Sequence, residues 1–274
     1  VVGLTMKTHA LGPKANRACC TPDDMFDARR VADLLGIPFY TLNYAELFER
    51  EVIKPFADAY LSGHTPNPCI ECNDKVKFRP LLERAKLLGA DYLATGHYAR
   101  IVREPGHPIL ARGLDRSKDQ SYFLYRLQSE QLNALMFPLG ELTKTQVRDH
   151  ARRLGLRVAE KPESQEICFV GREGYARAVE QIAGAALPSG FIVDASGKIL
   201  GKHAGVHHFT IGQRKGLRIA AAQPLYVAAI DPKSAQIQVG VKGDLLSDTV
   251  SIEDVILNRL LPDPDDTIYI QQRY

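Results

Sequence analysis

The residues of this chain best equipped for chemistry are its cysteines. Cys69-Ile70-Glu71-Cys72 follows Thr65-Pro66-Asn67-Pro68, and Cys168 lies far downstream in Ser164-Gln165-Glu166-Ile167-Cys168-Phe169. A thiolate is both a nucleophile and a sulfur carrier, and it becomes useful where a second thiol, a charge or a helix terminus holds it ready. Cysteines of soluble proteins are often small buried hydrophobes. Two sites in polar, turn-rich sequence, one of them a C-x-x-C, point instead to sulfur transfer. With Asn73 read as the start of a helix, Cys72 stands at the positive end of its dipole, which favours thiolate and makes Cys72 the reactive member. C-x-x-C by itself is shared by redox, zinc and iron–sulfur sites. Its place after a helix and a proline turn lowers a thioredoxin-like reading. A structural zinc wants four ligands, where Cys69, Cys72 and Cys168 supply three. The adjacent Cys19 and Cys20 read as packing beneath a sheet.

Other polar groups are less specific. Gly96-His97 follows the apolar run Asp91-Tyr92-Leu93-Ala94-Thr95. Ligands of an open parallel sheet gather at such carboxyl ends, and a glycine there lets a backbone come close. On position alone, His97 reads as a satisfied buried histidine. Lys118-Asp119-Gln120-Ser121 offers a cation and polar groups ahead of Tyr122-Phe123-Leu124-Tyr125, aromatics that read as core. Gly212-Gln213-Arg214-Lys215-Gly216 joins a flexible backbone to two cations, which suits phosphate contact or an ordinary solvated turn.

The elements that must position these groups fall into two styles. Up to about residue 135, short apolar strands alternate with amphipathic helices, which specifies a parallel α/β sheet. Thr21-Pro22-Asp23-Asp24 is a helix start and Gly36 its stop. Pro38 to Leu42 reads as a strand, Tyr44 to Leu61 as a helix, and Asn73 to Gly89 as another. Thr143 caps a basic helix that Gly155 ends, and a short helix follows near 173–183. From Ser189 the pattern becomes β, with strands at 191–193, 198–200, 225–231, 236–241, 248–257 and 267–274. These suggest a small antiparallel barrel or sandwich.

The chain has 274 residues, 45% hydrophobic and 24% charged, with five cysteines. That length suits two domains or more. An odd cysteine count in a long chain argues for a reducing cytoplasm rather than a secreted disulfide scaffold. No apolar stretch approaches the roughly 20 residues a membrane span needs, and no signal peptide is seen. Net charge is only +3, but its distribution is uneven. Between Asp194 and Asp231 there is no acid, while Lys198, Lys202, Arg214, Lys215 and Arg218 fall there with His203, His207 and His208. Such a local positive field attracts phosphate backbones. The chain opens without methionine at Val1-Val2-Gly3-Leu4 and closes on the alternating 268–274, so it reads as a fragment.

Several motifs together carry a family likeness. They are Cys19-Cys20 ahead of Asp27-Ala28-Arg29, Thr65 to Asn73, Ala94-Thr95-Gly96-His97-Tyr98 and Ser117 to Leu124. Phe137-Pro138-Leu139-Gly140, Ser164 to Phe169 and Thr210 to Leu217 complete the set. On these the chain resembles the tRNA-specific 2-thiouridylases, the MnmA family, collinearly over essentially its whole length. The resemblance implies an α/β fold: a parallel-sheet ATP-pyrophosphatase-type (adenine nucleotide alpha hydrolase-like) domain over 1–138, N-terminally truncated. A small central tRNA-contacting domain over 139–200 and a partial antiparallel β-barrel over 201–274 follow.

The same resemblance implies chemistry. The C2 oxygen of the wobble uridine is adenylated with ATP and Mg2+, and sulfur then displaces AMP to give 2-thiouridine. Cys168 takes the place of the persulfide carrier and Cys72 that of the catalytic nucleophile, acting through a transient disulfide or by releasing sulfide. Asn67, Pro68 and Cys69 line the site of the flipped base. Met6 and Gly96 match the ATP side. His97, Lys118, Asp119, Gln120, Arg273 and Tyr274 match tRNA contacts, and Arg148, Arg152, Arg153, Arg214 and Lys215 join them on charge alone.

The partners implied are the anticodon region of tRNA and a persulfide donor protein or sulfide, with no membrane. The family's S-G-G-x-D-S phosphate loop lies upstream of Val1, so this fragment alone is expected not to adenylate RNA. The family often has Asp where this chain has Cys69. That change leaves open a 4Fe–4S cluster on Cys69, Cys72 and Cys168 as an alternative to a metal-free persulfide route. A different ATP-pyrophosphatase-type adenylating enzyme and a non-catalytic RNA-binding fragment are the remaining readings.

Overall fold

Proline in the first turn and two acids at the positive end of the dipole begin helix α1 at Pro22, and it spans Pro22–Leu34. The computed structural model describes residues 1–8, 22–104, 107–161, 167–171, 173–184, 187–249 and 251–256. Cys19, Cys20, Ser164, Gln165, Glu166, Arg273 and Tyr274 lie outside the described residues, as does the strand expected at 267–274. The described chain divides into two units. One gathers Val1–Val52 and Pro68–Phe169, the other Ile53–Asn67 and Val170–Glu253.

In the first unit, strands β1 (Gly3–Lys7) and β2 (Phe39–Asn43) pair in parallel on either side of α1 in the chain. Gly36 closes α1 with a left-handed φ of 64°. A helical run then passes through α2 (Ala45–Phe48) and a π-helical turn Glu49–Ile53 into α3 (Lys54–Leu61), which belongs to the second unit. A second run comprises α4 (Pro68–Glu71), a π-helical stretch Cys72–Phe78 and α5 (Arg79–Leu87). The strand expected over 91–95 is only β3 (Leu93–Ala94), and it pairs in parallel with Leu135–Met136. Parallel strands alternating with helices are thus what the sequence period required.

The antiparallel hairpin β4 (Ala99–Glu104) and β5 (His107–Arg112) was not foreseen. Its signal is the Pro105-Gly106 dipeptide between two runs of alternating polarity. Helix α6 (Ser129–Asn133) leads into β6 (Leu135–Met136). Thr143 caps α7 (Lys144–Arg153) in a reciprocal capping box with Gln146, as its sequence demands. Phe78, Leu81, Leu124, Leu132, Leu135 and Phe137 are the centre of this unit's core, with Leu4, Met6 and Leu42 packed against them.

The second unit holds α8 (Tyr175–Ala183) and a four-stranded sheet. Its strands are β7 (Gly190–Val193), β8 (Ile199–His203), β9 (Tyr226–Asp231) and β10 (Gln236–Gly240), in the order β8-β7-β10-β9. The sheet is mixed rather than purely antiparallel, because β10 runs parallel to β7. No strand is formed at 248, 249 or 251–256 among the described residues, where one was expected. Residues 139–169 group with the first unit, and β8 runs across the 200/201 boundary expected from sequence. Ile192, Val206, Phe209, Val227, Ile237 and Val239 form this unit's core.

Candidate functional site

The helix carrying the C-x-x-C begins earlier than its sequence suggested. Asn67-Pro68 read as a turn, yet Pro68 is the first helical residue, where a missing N–H costs nothing and φ is already set. Cys69 therefore lies in the first turn and is exposed, while Cys72 is one turn further on and only 8% exposed. Residues three apart share a helix face. The dipole's field falls off within the first turn, so its benefit goes to Cys69 more than to Cys72, reversing the reading from Asn73. At Cys72 the hydrogen bonding switches to the π pattern, a local distortion often found at functional positions.

A dense polar frame holds this turn. Glu71 accepts from Arg126 Nη1 at 2.5 Å and pairs with Lys75 at 3.0 Å. Asn73 is buried, donates to the Phe123 carbonyl at 3.1 Å and accepts from Lys77 at 3.0 Å. The buried Asp74 takes a two-pronged grip from Arg79, at 2.7 and 3.0 Å. Such charge-assisted, bidentate bonds fix orientation as well as energy.

Cys168 is half-buried and belongs to the same unit as Cys72. Its neighbour Phe169 meets the fully buried Phe48 edge-on, with ring centroids 5.8 Å apart. Helix α2, which carries Phe48, packs on the Cys72–Phe78 stretch. One buried aromatic thus links the segments bearing both thiols.

The remaining candidates separate by what they touch. Met6 lies in β1, half-buried against the core, and Gly96 is exposed beyond β3. A Cβ at Gly96 would make only an ordinary contact with Leu139 at 3.5 Å. His97 packs between Phe78 and Phe137, at 5.5 and 5.9 Å between centroids, and its Nδ1 is 2.8 Å from the Thr95 hydroxyl. Burial, then the nearby Lys77 charge, pushes its pKa down to about 3, so the ring is neutral near pH 7.

Asp119 accepts from the backbone of Gly113 and Ser121 and from the Ser121 hydroxyl. Gln120 exchanges hydrogen bonds with both backbone groups of Tyr98. These side chains therefore build their own loop, while Lys118 is half-buried beside them. Arg152 is engaged by Glu160 and Asp149, both at 2.7 Å.

In the second unit, Gln213 organises the basic loop by accepting from Thr210 N and donating to the Lys215 carbonyl. Thr65 of the T-P-N-P segment donates to the Thr210 hydroxyl at 3.1 Å. Arg214 and Arg218 line an open groove of about 360 Å³ with Gly216 and Leu217. His203 and His207, counted with the positive charges above, are buried, and desolvation lowers the pKa of each. The positive field there belongs to the lysines and arginines.

The architecture is that of a HUP domain followed by a PRC-barrel domain. The family described as tRNA methyl transferase HUP domain matches residues 1–172, and that described as tRNA methyl transferase PRC-barrel domain matches residues 178–241. The chain is 54% identical over 262 residues to the tRNA-specific 2-thiouridylase MnmA of Geobacter metallireducens, covering 93% of this chain and 71% of that protein. The MnmA of Geotalea uraniireducens is 50% identical, with 98% and 73% covered. That of Wolbachia sp. subsp. Drosophila simulans is 45% identical, with 93% and 70% covered. The chain belongs to the MnmA family. No helix among the described residues is long and apolar enough to cross a membrane.

Proposed function

We propose that this chain serves a cytoplasmic tRNA 2-thiouridylase, which with its S-G-G-x-D-S phosphate loop uses ATP to activate the C2 oxygen of a uridine in the anticodon region before sulfur replaces it. The observation that carries this reading is the shared unit of Cys72 and Cys168, linked through the Phe48–Phe169 contact. Thiols serve sulfur transfer directly, and a methyl transferase, as the family descriptions word it, has no need of the pair.

The chemistry balances as follows. The uridine O2 attacks the α-phosphorus of ATP and pyrophosphate leaves, which turns a poor leaving group into AMP. A persulfide on Cys168, charged by a donor protein, attacks C2 through its outer sulfur and AMP departs. The Cys72 thiolate then attacks Cys168 Sγ, and the breaking S–S bond leaves its electron pair on the sulfur bound to C2. Products are 2-thiouridine and a Cys72–Cys168 disulfide, which a dithiol reduces. In the alternative order the Cys72 thiolate attacks Cys168 Sγ of the persulfide first, forming the same disulfide and expelling hydrosulfide, which then attacks the activated C2 and displaces AMP.

Met6 and Gly96 are assigned to the adenosine side, and Mg2+ enters with the triphosphate. Asn67, Pro68 and Cys69 are assigned to the extruded base. His97 and Lys118 join Arg214 and Lys215 as RNA contacts, with Asp119 and Gln120 shaping the loop that presents Lys118. Arg273 and Tyr274 keep the same assignment from the resemblance.

A second reading rests on Cys69 and Cys72 standing one turn apart on a single helix. With Cys168 they have the donor number and type of a three-thiolate 4Fe–4S site, which when bound would supply a carrier for sulfide. Iron and sulfide analysis after anaerobic purification separates the two routes.

The test of function is thiolation of tRNA by Cys72→Ser and Cys168→Ser variants of the protein carrying the S-G-G-x-D-S phosphate loop, because the fragment alone is expected not to adenylate RNA. Loss of 2-thiouridine with unchanged tRNA binding supports the transferase. Undiminished thiolation by either variant removes it.

A further inference from the structure

Helix α8 and the 3-10 turn Val206–His208 bring together three ligand-type side chains that the sulfur chemistry does not use. Glu180, His207 and His208 place one donor atom each within 4.8 Å of the others. Glu180 Oε1 is 3.4 Å from His207 Nε2 and 3.5 Å from His208 Nε2. A carboxylate in a direct charge-assisted hydrogen bond closes to about 2.7–2.9 Å. Donors arranged tetrahedrally around one ion at roughly 2.0–2.1 Å stand about 3.4 Å from each other. The two separations from Glu180 match the second geometry, and the two imidazole donors lie within 4.8 Å of each other. We propose that Glu180, His207 and His208 form a binding site for a borderline divalent cation, Zn2+ by its donor set, with a fourth position open to solvent.

The surroundings prepare the donors. Arg177 Nη1 holds Glu180 Oε2 at 2.8 Å, which turns Oε1 toward both imidazoles. The same Arg177 contact, then that with His207, keeps the Glu180 carboxyl below the usual carboxylate range. His207 is 1% exposed, whereas His208 and Glu180 are partly open and leave an entry path.

Two contacts fix the turn itself. Tyr175 stacks on Tyr60 with centroids 4.8 Å apart and donates to the His208 carbonyl at 3.1 Å. A Cβ on Gly205 would lie 2.3 Å from His207 Cε1, so the ring occupies the space a side chain would take.

One feature limits the affinity. His207 Nδ1 is buried with no hydrogen-bond partner among the described residues. Metal-bound histidines usually donate that second N–H, and losing the partner typically costs about 10–100-fold in affinity. The site is therefore expected to bind in the micromolar rather than the nanomolar range. Occupied, it ties α8 to the turn that leads into the basic loop at Thr210.

The experiment is calorimetric titration of the metal-stripped full chain with Zn2+, and of Co2+ by absorption. Cysteines also take these ions, so the readout is the difference between wild type and Glu180→Gln or His208→Ala. The expected result is loss of one equivalent, or at least about tenfold weaker binding. The Co2+ difference spectrum should show visible ligand-field bands without thiolate charge transfer. Gly205→Ala, which displaces the His207 ring, should have the same effect. Metal-free melting and far-UV circular dichroism check the fold, and Glu180→Gln, a surface change, serves if His208→Ala is unstable. Zn2+ stoichiometry and affinity unchanged in Glu180→Gln, or a difference spectrum made only of thiolate bands, overturns the proposal.

Discussion

The Cys69–Phe78 turn of the first unit and the Glu180–His208 cluster of the second are both rich in polar side chains, but they use them in opposite ways. Around the thiols, Glu71, Asn73 and Asp74 are bound at 2.5–3.1 Å by Arg126, Lys75, Lys77, Arg79 and the Phe123 carbonyl. Around Glu180 Oε1, the two imidazole nitrogens stand off at 3.4 and 3.5 Å. Short bonds make a frame that holds neighbouring groups in place, although Glu71 Oε2, ion-paired with Lys75, makes no hydrogen bond among the described residues. Polar atoms that converge without closing leave coordination capacity. The contrast is between cysteines whose proposed reactivity depends on positioning by others and a histidine cluster that would itself be the proposed binding element.

The largest expected effect breaks the frame at its aromatic link. Phe48→Ala removes a fully buried ring and should cost about 3–5 kcal/mol of stability, read by urea denaturation. Thiolation should also fall in the surviving folded protein, because Phe169 loses its seat beside Cys168. Unchanged thiolation would show that this contact does not position the thiol.

Next comes the Asp74–Arg79 pair. Arg79→Ala leaves a buried carboxylate without its two-pronged donor and should destabilise by roughly 1.5–3 kcal/mol, toward the lower end because Arg79 is itself largely exposed. Asp74→Asn leaves only a surface guanidinium unpaired and should cost less. Equal losses would mean that the pair is not a frame element.

The third prediction concerns pH. His97 has a folded pKa of about 3, below its unfolded value near 6.5. The unfolded chain therefore binds the proton first, and stability is lost as pH falls from about 6.5 toward 3, at up to about 1.4 kcal/mol per unit. Above that window His97 contributes no slope. Melting temperature followed against pH should be flatter in His97→Phe than in wild type; identical slopes would place the titration elsewhere.

The smallest effect is at the N-terminus of α7. Thr143→Ala removes the cap of α7 and should cost about 1 kcal/mol, with thiolation and Zn2+ binding unaffected.

The sequence carried the parts of the fold that depend on local rules. Pro22 with its two acids, the Thr143 capping box and the strand–helix alternation up to Met136 each state their structure within a few residues. Where a residue pair has two local meanings, the reading failed. Asn67-Pro68 serves equally as a turn and as a helix start, so the helix was placed five residues late and the dipole credited to Cys72. The parallel pairing of β10 with β7 joins residues more than forty apart, and no periodicity announces it.

The site shows the same division. Cys69, Cys72 and Cys168 were visible by type and spacing, but Arg126, which clamps Glu71 from 55 residues away, was not. His207 and His208 were seen as adjacent charges in an acid-free stretch. Their acid, Glu180, arrives from 27 residues upstream on another element, and burial removes the charge first ascribed to His207.

The proposed sulfur transfer requires Cys72 and Cys168 to act together, and one measurement reads that directly. Persulfide-charged protein carrying the S-G-G-x-D-S phosphate loop, given ATP and tRNA for a single turnover and quenched in acid, can be mapped by mass spectrometry of its peptides. A Cys72–Cys168 disulfide formed in step with 2-thiouridine is the predicted result. Full thiolation with both thiols still reduced would contradict it.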